Sequence, residues 1–140
     1  MSDKVLEEGA ELRLDWDKIG KISRTSERGV VPAVAQDAET GRVLIIGYAD
    51  ETALRKTMET GTAVFWSTSR NELWIKGATS GDYLDIREIR VNCEQNSLLY
   101  LVTPRKSGAC HTRDASGESR KSCFYRILEG DRLEFAEGEK

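Results

Sequence analysis

Short apolar runs separated by turn residues dominate the chain after residue 29, and this pattern predicts a strand-rich fold. Residues 30–36 and 43–48 are rich in β-branched side chains and flank a polar turn at 37–41, so we expect a β-hairpin. Asp50 has the side chain typical of a helix N-cap, and Gly61 is placed to end the helix. Between them, apolar residues recur at helical spacing, which predicts a helix over 51–59.

The rest of the chain returns to strand patterns. Candidate strands cover 63–67, 73–76, 83–93, 97–102, 123–128 and 132–135. One helix among many strands, with no strand–helix alternation, predicts an α+β fold with mainly antiparallel strands and one principal helix in a single domain.

Residues 1–28 are polar and irregular, so we interpret them as an N-terminal extension to a domain over 29–140. Leu12, Leu14 and Trp16 are the apolar residues of this extension that could dock on the domain.

Composition and charge narrow the function classes. The chain has 140 residues, of which 39% are hydrophobic and 32% charged, which fits a single globular domain. It has no apolar run long enough to cross a bilayer and begins without an apolar signal segment, so we expect a cytoplasmic protein without membrane association. A net charge of −3 argues against binding of a nucleic-acid polymer. Six basic and two acidic residues between 104 and 126 fit either an anionic substrate or a solvated basic loop.

Three cysteines and the single histidine are the candidate chemical groups. Cys110 precedes His111 directly, Cys93 lies 17 residues upstream of Cys110, and Cys123 lies 13 residues downstream. An odd cysteine count in a cytosolic protein argues against a disulfide framework. The spacing alone leaves two interpretations open, small buried apolar residues or a metal site. Three protein ligands on zinc leave a fourth position for water, and a histidine beside a ligand could transfer a proton. A structural role is the alternative for such a histidine.

Several ordered motifs point to one family. Residues 31–37 read Val-Pro-Ala-Val-Ala-Gln-Asp, residues 65–70 Phe-Trp-Ser-Thr-Ser-Arg, and residues 73–81 Leu-Trp-Ile-Lys-Gly-Ala-Thr-Ser-Gly. Residues 87–93 read Arg-Glu-Ile-Arg-Val-Asn-Cys, and a Cys-His-Thr and a Ser-Cys-Phe-Tyr-Arg segment follow, ending at residue 126. In order and spacing, residues 29–126 resemble the phosphoribosyl-AMP cyclohydrolases of histidine biosynthesis.

The resemblance implies a specific reaction and assembly. Enzymes of this family hydrolyse the adenine ring of phosphoribosyl-AMP between N1 and C6, so the expected partner is a small phosphorylated nucleotide. They are intimate homodimers whose zinc site takes cysteines from both subunits and activates the water that attacks C6. On this resemblance Cys93, Cys110 and Cys123 bind zinc, and His111 is the catalytic residue for proton transfer.

The substrate carries two phosphorylated riboses, so the resemblance also requires groups that bind anions. The candidate substrate-binding residues supply hydroxyls, cations or a flexible backbone, and they are Ser67, Ser69, Arg70, Lys76, Thr79, Ser80 and Gly81. Trp66 is a candidate for stacking on the purine, whereas Trp74 is expected in the core.

The chain departs from the family at the segment that implies magnesium. The usual Asp-Cys-Asp-x-Asp segment supplies three aspartates to Mg²⁺, and the corresponding residues here are Asn92, Glu94 and Asn96. Because Mg²⁺ prefers carboxylates in tight octahedral geometry, these residues predict a weaker site, a site for another ion, or none. A second departure is the loop over 113–121, which is longer than usual between the last two cysteines.

Two alternatives to the cyclohydrolase reaction follow from these departures. The first is a divergent paralogue with the same zinc chemistry that acts on another purine-like or cyclic amidine substrate, and the changed residues around Cys93 favour it. The second is a non-catalytic zinc-binding protein of the same fold. Retention of all three cysteines together with His111 argues against the second alternative.

Overall fold

The structure is a computed structural model, and it describes residues 4–11 and 29–140. In chain order the elements are α1 (Lys4–Glu8), β1 (Val31–Asp37), β2 (Val43–Ala49), α2 (Glu51–Thr60), β3 (Val64–Ser67), β4 (Glu72–Ile75), β5 (Leu84–Val91), β6 (Leu98–Pro104), β7 (Arg126–Glu129) and β8 (Arg132–Phe135). No helix among the described residues is long and apolar enough to cross a membrane.

A four-stranded sheet with the order β2-β1-β6-β5 forms the centre of the fold. Its β1–β2 and β5–β6 pairs are antiparallel, and only the β1–β6 pair is parallel. The β3–β4 and β7–β8 pairs form two separate antiparallel hairpins. The prediction of a single mixed domain with mainly antiparallel strands is therefore confirmed, as is the first hairpin.

The helix α2 forms where the capping residues predict it. The Asp50 carboxylate accepts the backbone N–H of Ala53 at 2.8 Å, and Gly61 ends the helix at φ 73°. Thr57 is fully buried; its hydroxyl donates to the Ala53 carbonyl at 2.8 Å and accepts the N–H of Val64 at 3.0 Å. One buried hydroxyl thereby ties the helix to the start of β3.

One face of the sheet is buried and the other is open. Alternate residues of β1 and β6 point into the core with α2, β3 and the start of β5; the core includes Ala33, Ala35, Leu44, Val64, Phe65, Leu84, Tyr100 and Val102. On the open face, Val34, Gln36, Val43, Val91 and Leu99 line a shallow groove of about 370 Å³. Val91 is 54% exposed, so this face carries apolar area without a partner among the described residues.

Several element boundaries differ from the sequence prediction, and two of the differences have a local reason. The strand predicted to begin at Cys123 begins at Arg126, because the Ser122 hydroxyl accepts the N–H of Phe124 at 3.0 Å and turns the chain. The strand predicted to continue to Cys93 ends at Val91, where a turn begins.

The N-terminal segment 4–11 contains a short helix that the sequence did not predict, so the described residues hold two helices. It packs beside β7: the Tyr125 hydroxyl donates to the Glu7 carbonyl at 2.7 Å, and Arg126 donates to the Gly9 carbonyl at 2.9 Å. Part of the predicted extension is therefore attached to the domain. The prediction that Leu12, Leu14 and Trp16 dock lies outside the described residues.

Candidate functional site

A cavity of about 480 Å³ collects many of the predicted site residues. It lies between the β3–β4 hairpin, the loop that follows β4, and the segments around residues 109–111 and 123. Its walls are formed by Ile45, Arg70, Leu73, Trp74, Ile75, Lys76, Gly77, Ala78, Thr79, Ser80, Ala109, His111 and Cys123. The cavity combines an exposed aromatic ring, two cations, two hydroxyls, a histidine and a thiol, which suits a phosphorylated heterocycle.

A tight loop after β4 places Lys76 in the wall of this cavity. Gly77 has φ 96°, and a Cβ there would lie 2.4 Å from the backbone nitrogen of Tyr83, so only glycine fits. Lys76 is only 5% exposed, and its Nζ donates to the Asp82 carbonyl at 3.1 Å. Burial lowers the pKa of Lys76, while Asp82 and the two nearby thiols act in the opposite direction.

Backbone hydrogen bonds fix the positions of Cys110 and Cys123, each through a different partner. The N–H of Cys110 donates to the Arg120 carbonyl at 3.0 Å, and the N–H of Cys123 donates to the Leu44 carbonyl of β2 at 2.8 Å. The chains run so close here that a Cβ on Gly108 would lie 2.3 Å from the Arg120 carbonyl oxygen. The two thiols lie close enough to shift one another's pKa, with Cys110 buried and Cys123 half-buried.

Each thiol shifts the pKa of the other, and the two shifts are opposite in direction. The Cys123 thiol, the Thr112 hydroxyl 3.0 Å away and the Thr112 backbone N–H lower the pKa of Cys110 to about 5, with His111 contributing. The pKa of Cys123 is raised by the neighbouring Cys110 sulfur and by burial. The two sulfurs, one a thiolate and the other a thiol beside it, are suitable donors for a soft or borderline cation such as zinc.

Cys93 lies at the opposite edge of the sheet from this pair. It follows β5, one edge strand, whereas Cys123 is bonded to β2, the other edge strand. Four strands at a spacing of about 4.8 Å separate these edges by about 14 Å. Accordingly, residues 4–11 and 29–140 of one chain contain no cluster of three side chains able to hold a metal. The structure brings together two of the three predicted zinc ligands and leaves the third exposed elsewhere.

His111 lies at the mouth of the cavity and also lines a second cavity of about 620 Å³ beside α1. Its side chain is 80% exposed, and its Nε2 contacts the Glu7 carboxylate. No local sequence pattern marks Glu7, because it contacts His111 across 104 residues of the chain.

The two tryptophans exchange the positions expected for them. Trp66 is 8% exposed and is not among the residues that line the cavity, whereas Trp74 is 37% exposed and lines it. The prediction that Trp74 belongs to the core is therefore wrong. Trp74 keeps an apolar contact beneath it, since its ring centroid lies 5.4 Å from that of Phe65.

The predicted anion-binding residues divide into two groups. Arg70, Lys76, Thr79 and Ser80 line the cavity. Ser67 ends β3, and Ser69 and Gly81 lie in adjoining turns; none of the three lines the cavity. The two serine hydroxyls are 3.3 Å apart, and the Gly81 N–H donates to the Gly77 carbonyl at 2.7 Å.

Within the described part of the chain, half of the six bases in the stretch at 104–126 form ion pairs, and Arg105 pairs with Asp85. Arg120 is buried and donates to the Glu8 carboxylate at 3.0 Å, and Lys121 lies 3.1 Å from the Asp37 carboxylate. The two cations that line the cavity, Arg70 and Lys76, precede that stretch in sequence. The local charge excess therefore does not coincide with the cations of this cavity.

Comparison with known proteins places this cavity in a family context. Residues 45–125 match the family model described as phosphoribosyl-AMP cyclohydrolase. The chain is 42% identical over 122 residues to the phosphoribosyl-AMP cyclohydrolase of Desulfatibacillum aliphaticivorans, covering 87% of this chain and 86% of the relative. It is 50% identical over 107 residues to that of Haloquadratum walsbyi, covering 76% of each. The chain belongs to the phosphoribosyl-AMP cyclohydrolase family.

Membership in the phosphoribosyl-AMP cyclohydrolase family makes this protein a hydrolase. A further relative, the histidine biosynthesis bifunctional protein HisIE of Aquifex aeolicus, is 43% identical over 109 residues, 78% of this chain and 50% of the relative. The match to the cyclohydrolase family model includes Lys76, His111 and all three cysteines, whereas Glu7 and α1 precede it. The contact between Glu7 and His111 thus joins a segment outside the matched region to a predicted catalytic residue.

Proposed function

We propose that this protein hydrolyses the N1–C6 bond in the adenine ring of phosphoribosyl-AMP, in histidine biosynthesis, with zinc as its cofactor. The observation that carries the proposal is the cavity that Arg70, Lys76 and His111 line together with Cys123, whose pKa the nearby Cys110 shifts. Its cations suit an anionic nucleotide, and its thiols suit a metal ion that promotes hydrolysis.

The donor set at Cys110 and Cys123 fits zinc. One sulfur is held as a thiolate, and the other gives up its proton when a cation takes the place of that proton. Thr112 sits against Cys110 and orients its sulfur, as outer partners of metal ligands do. When bound, zinc supplies a Lewis acid that activates water near neutral pH.

A second copy of the chain would supply the third ligand. Cys93 is exposed beside the open apolar face of the sheet, and the groove on that face is also lined by Asn92 and Ser97 from the same turn. A partner seated on this face in a two-fold arrangement would bring its own Cys110 and Cys123 to Cys93. Burying the exposed apolar side chains there would stabilise the dimer.

Different residues of the cavity would bind different parts of the substrate. Trp74 presents an exposed ring for stacking on the purine, and it takes the role that sequence analysis gave to Trp66. Arg70, Thr79 and Ser80 provide a cation and hydroxyls for the phosphate groups.

His111 is positioned to move the proton that the reaction transfers. Attack on C6 removes a proton from water, and N1 must gain one when the C6–N1 bond breaks. A histidine next to Cys110, at the mouth of the cavity, can accept the first proton and deliver the second. Contact with the Glu7 carboxylate restrains the ring of this exposed side chain.

The decisive experiment is to follow ring opening of phosphoribosyl-AMP by its absorbance change, using zinc-loaded and zinc-depleted protein. We expect turnover by the loaded protein and its loss on depletion. Absence of turnover by folded, zinc-loaded dimer would contradict the proposal and would direct substrate screening to other cyclic amidines.

Replacing Lys76 by methionine should lower kcat/KM at least about tenfold, because the cavity loses its buried cation beside the thiols. Methionine keeps the apolar stem, and the lost hydrogen bond to the Asp82 carbonyl costs about 1 kcal/mol of stability. Steady-state kinetics and thermal melting measure the two effects. Lys56→Met on α2 is the matched control, and equal kinetics in both variants would remove Lys76 from the site.

The shared zinc site predicts complementation between two inactive variants. Cys93→Ser and Cys110→Ser subunits should each be inactive alone. In a mixed dimer, the intact Cys110 and Cys123 of one subunit meet the intact Cys93 of the other and form one working site. Random mixing after co-expression should therefore restore about a quarter of wild-type turnover. A mixture as inactive as either variant would place all three ligands in one chain.

A further inference from the structure

The turn that carries Cys93 is closed by its own side chains. It connects β5 to β6 through residues 92–97, with the N–H of Gln95 donating to the Asn92 carbonyl at 3.0 Å and Gln95 at φ 55°. Asn92, Glu94 and Asn96, the residues at the family's magnesium positions, all lie in this turn and hydrogen-bond to one another.

The orientation of both amides follows from the backbone. Asn92 Oδ1 accepts two backbone N–H groups, from Asn96 at 2.8 Å and from Ser97 at 2.9 Å. Since backbone N–H groups can only donate, this oxygen is fixed, and Asn92 Nδ2 must point the other way. It donates to Asn96 Oδ1 at 2.6 Å, which in turn directs Asn96 Nδ2 to the Glu94 carboxylate at 3.3 Å.

This arrangement does not fit a magnesium ion. Mg²⁺ requires oxygen ligands with free lone pairs and prefers carboxylates. Here both amide oxygens already accept hydrogen bonds, two N–H donors point into the cluster, and the single carboxylate accepts one of them. A cation would have to turn both amides and break their four hydrogen bonds, with only one negative charge to compensate.

We propose that this turn binds no divalent cation, and that the amide network replaces the ion in holding the turn that presents Cys93. The hydrogen bonds join the start of the turn to its end, the connection that an ion shared by the same three side chains would make. Independence of turnover from magnesium also follows, and that consequence rests on the function proposed above.

Direct Mn²⁺ binding tests the proposal without any need for turnover. Mn²⁺ is the spectroscopic substitute for Mg²⁺ at oxygen sites. Zinc-loaded protein is used so that Mn²⁺ does not bind to the cysteines. Free Mn²⁺ is followed by electron paramagnetic resonance during titration of full-length wild-type protein and of Asn92→Asp/Asn96→Asp. The double variant removes both N–H donors and adds two charges. Asn71→Asp, at the one asparagine outside this turn, controls for the effect of an Asn→Asp replacement elsewhere in the chain.

We expect no saturable Mn²⁺ site in the wild type or in Asn71→Asp. The double variant should gain one site per chain that Mg²⁺ displaces, with a Kd at least about tenfold below any wild-type binding. A wild-type site that is displaced by Mg²⁺ and lost in Glu94→Gln would overturn the proposal. Failure of the double variant to gain a site would overturn the role given to the amides. Neither result depends on the identity of the substrate.

Discussion

Replacing Cys110 by serine is expected to abolish zinc binding and to lower turnover by about 10³-fold or more. A serine hydroxyl does not ionise at neutral pH and is a poorer ligand than a thiolate, so the two-sulfur donor set is lost. Several kcal/mol of Lewis-acid stabilisation of the transition state is lost with it. The size of the effect follows from the placement of Cys110, which is 3% exposed and close enough to Cys123 to shift its pKa.

Zinc content by mass spectrometry, steady-state kinetics and thermal melting check this prediction on one preparation. Because serine is nearly isosteric and the backbone bond to Arg120 remains, the melting temperature of the metal-free variant should stay close to that of the metal-free wild type. Thr112→Ser is the matched control, since it keeps a hydroxyl beside the sulfur and should retain zinc. One zinc per chain with full turnover in Cys110→Ser would refute the metal assignment.

Replacing His111 by alanine is expected to leave zinc bound and to lower kcat by about 10²- to 10⁴-fold, the range typical of a lost general acid–base group. Zinc binding is expected to persist while kcat falls, and this difference has a structural reason. The histidine side chain is 80% exposed, so its removal opens no core cavity and leaves Cys110 and Cys123 in place.

The kinetic measurement should use saturating substrate, so that kcat is separated from KM. Met58→Ala controls for truncation of an exposed side chain, because Met58 is 58% exposed on α2 and lies outside the cavity. An unchanged kcat in His111→Ala, with zinc retained, would remove the histidine from the mechanism. Loss of zinc in this variant would instead indicate that the ring supports the metal.

Local signals in the sequence determined the first hairpin and the helix that follows it. Asp50 and Gly61 act through hydrogen bonds and dihedral preferences within a few residues, so their effect is visible without the rest of the fold. The three cysteines and His111 likewise stand out by residue type alone. The short helix at Lys4–Glu8 was not predicted, because five mostly polar residues are too few to show a helical repeat of apolar positions.

Only the tertiary structure decided how these groups are distributed in space. The side on which each tryptophan lies depends on which face of the β3–β4 hairpin is covered, and alternation within a four-residue strand does not specify that face. The contact between Glu7 and His111 and the separation of Cys93 from Cys110 and Cys123 arise from strand order and chain-end packing. Sequence spacing fixes neither distance, because loop closure depends only weakly on length and many topologies satisfy the same pattern. The sequence therefore identified the reactive groups, and the sheet determined which of them one chain can bring together.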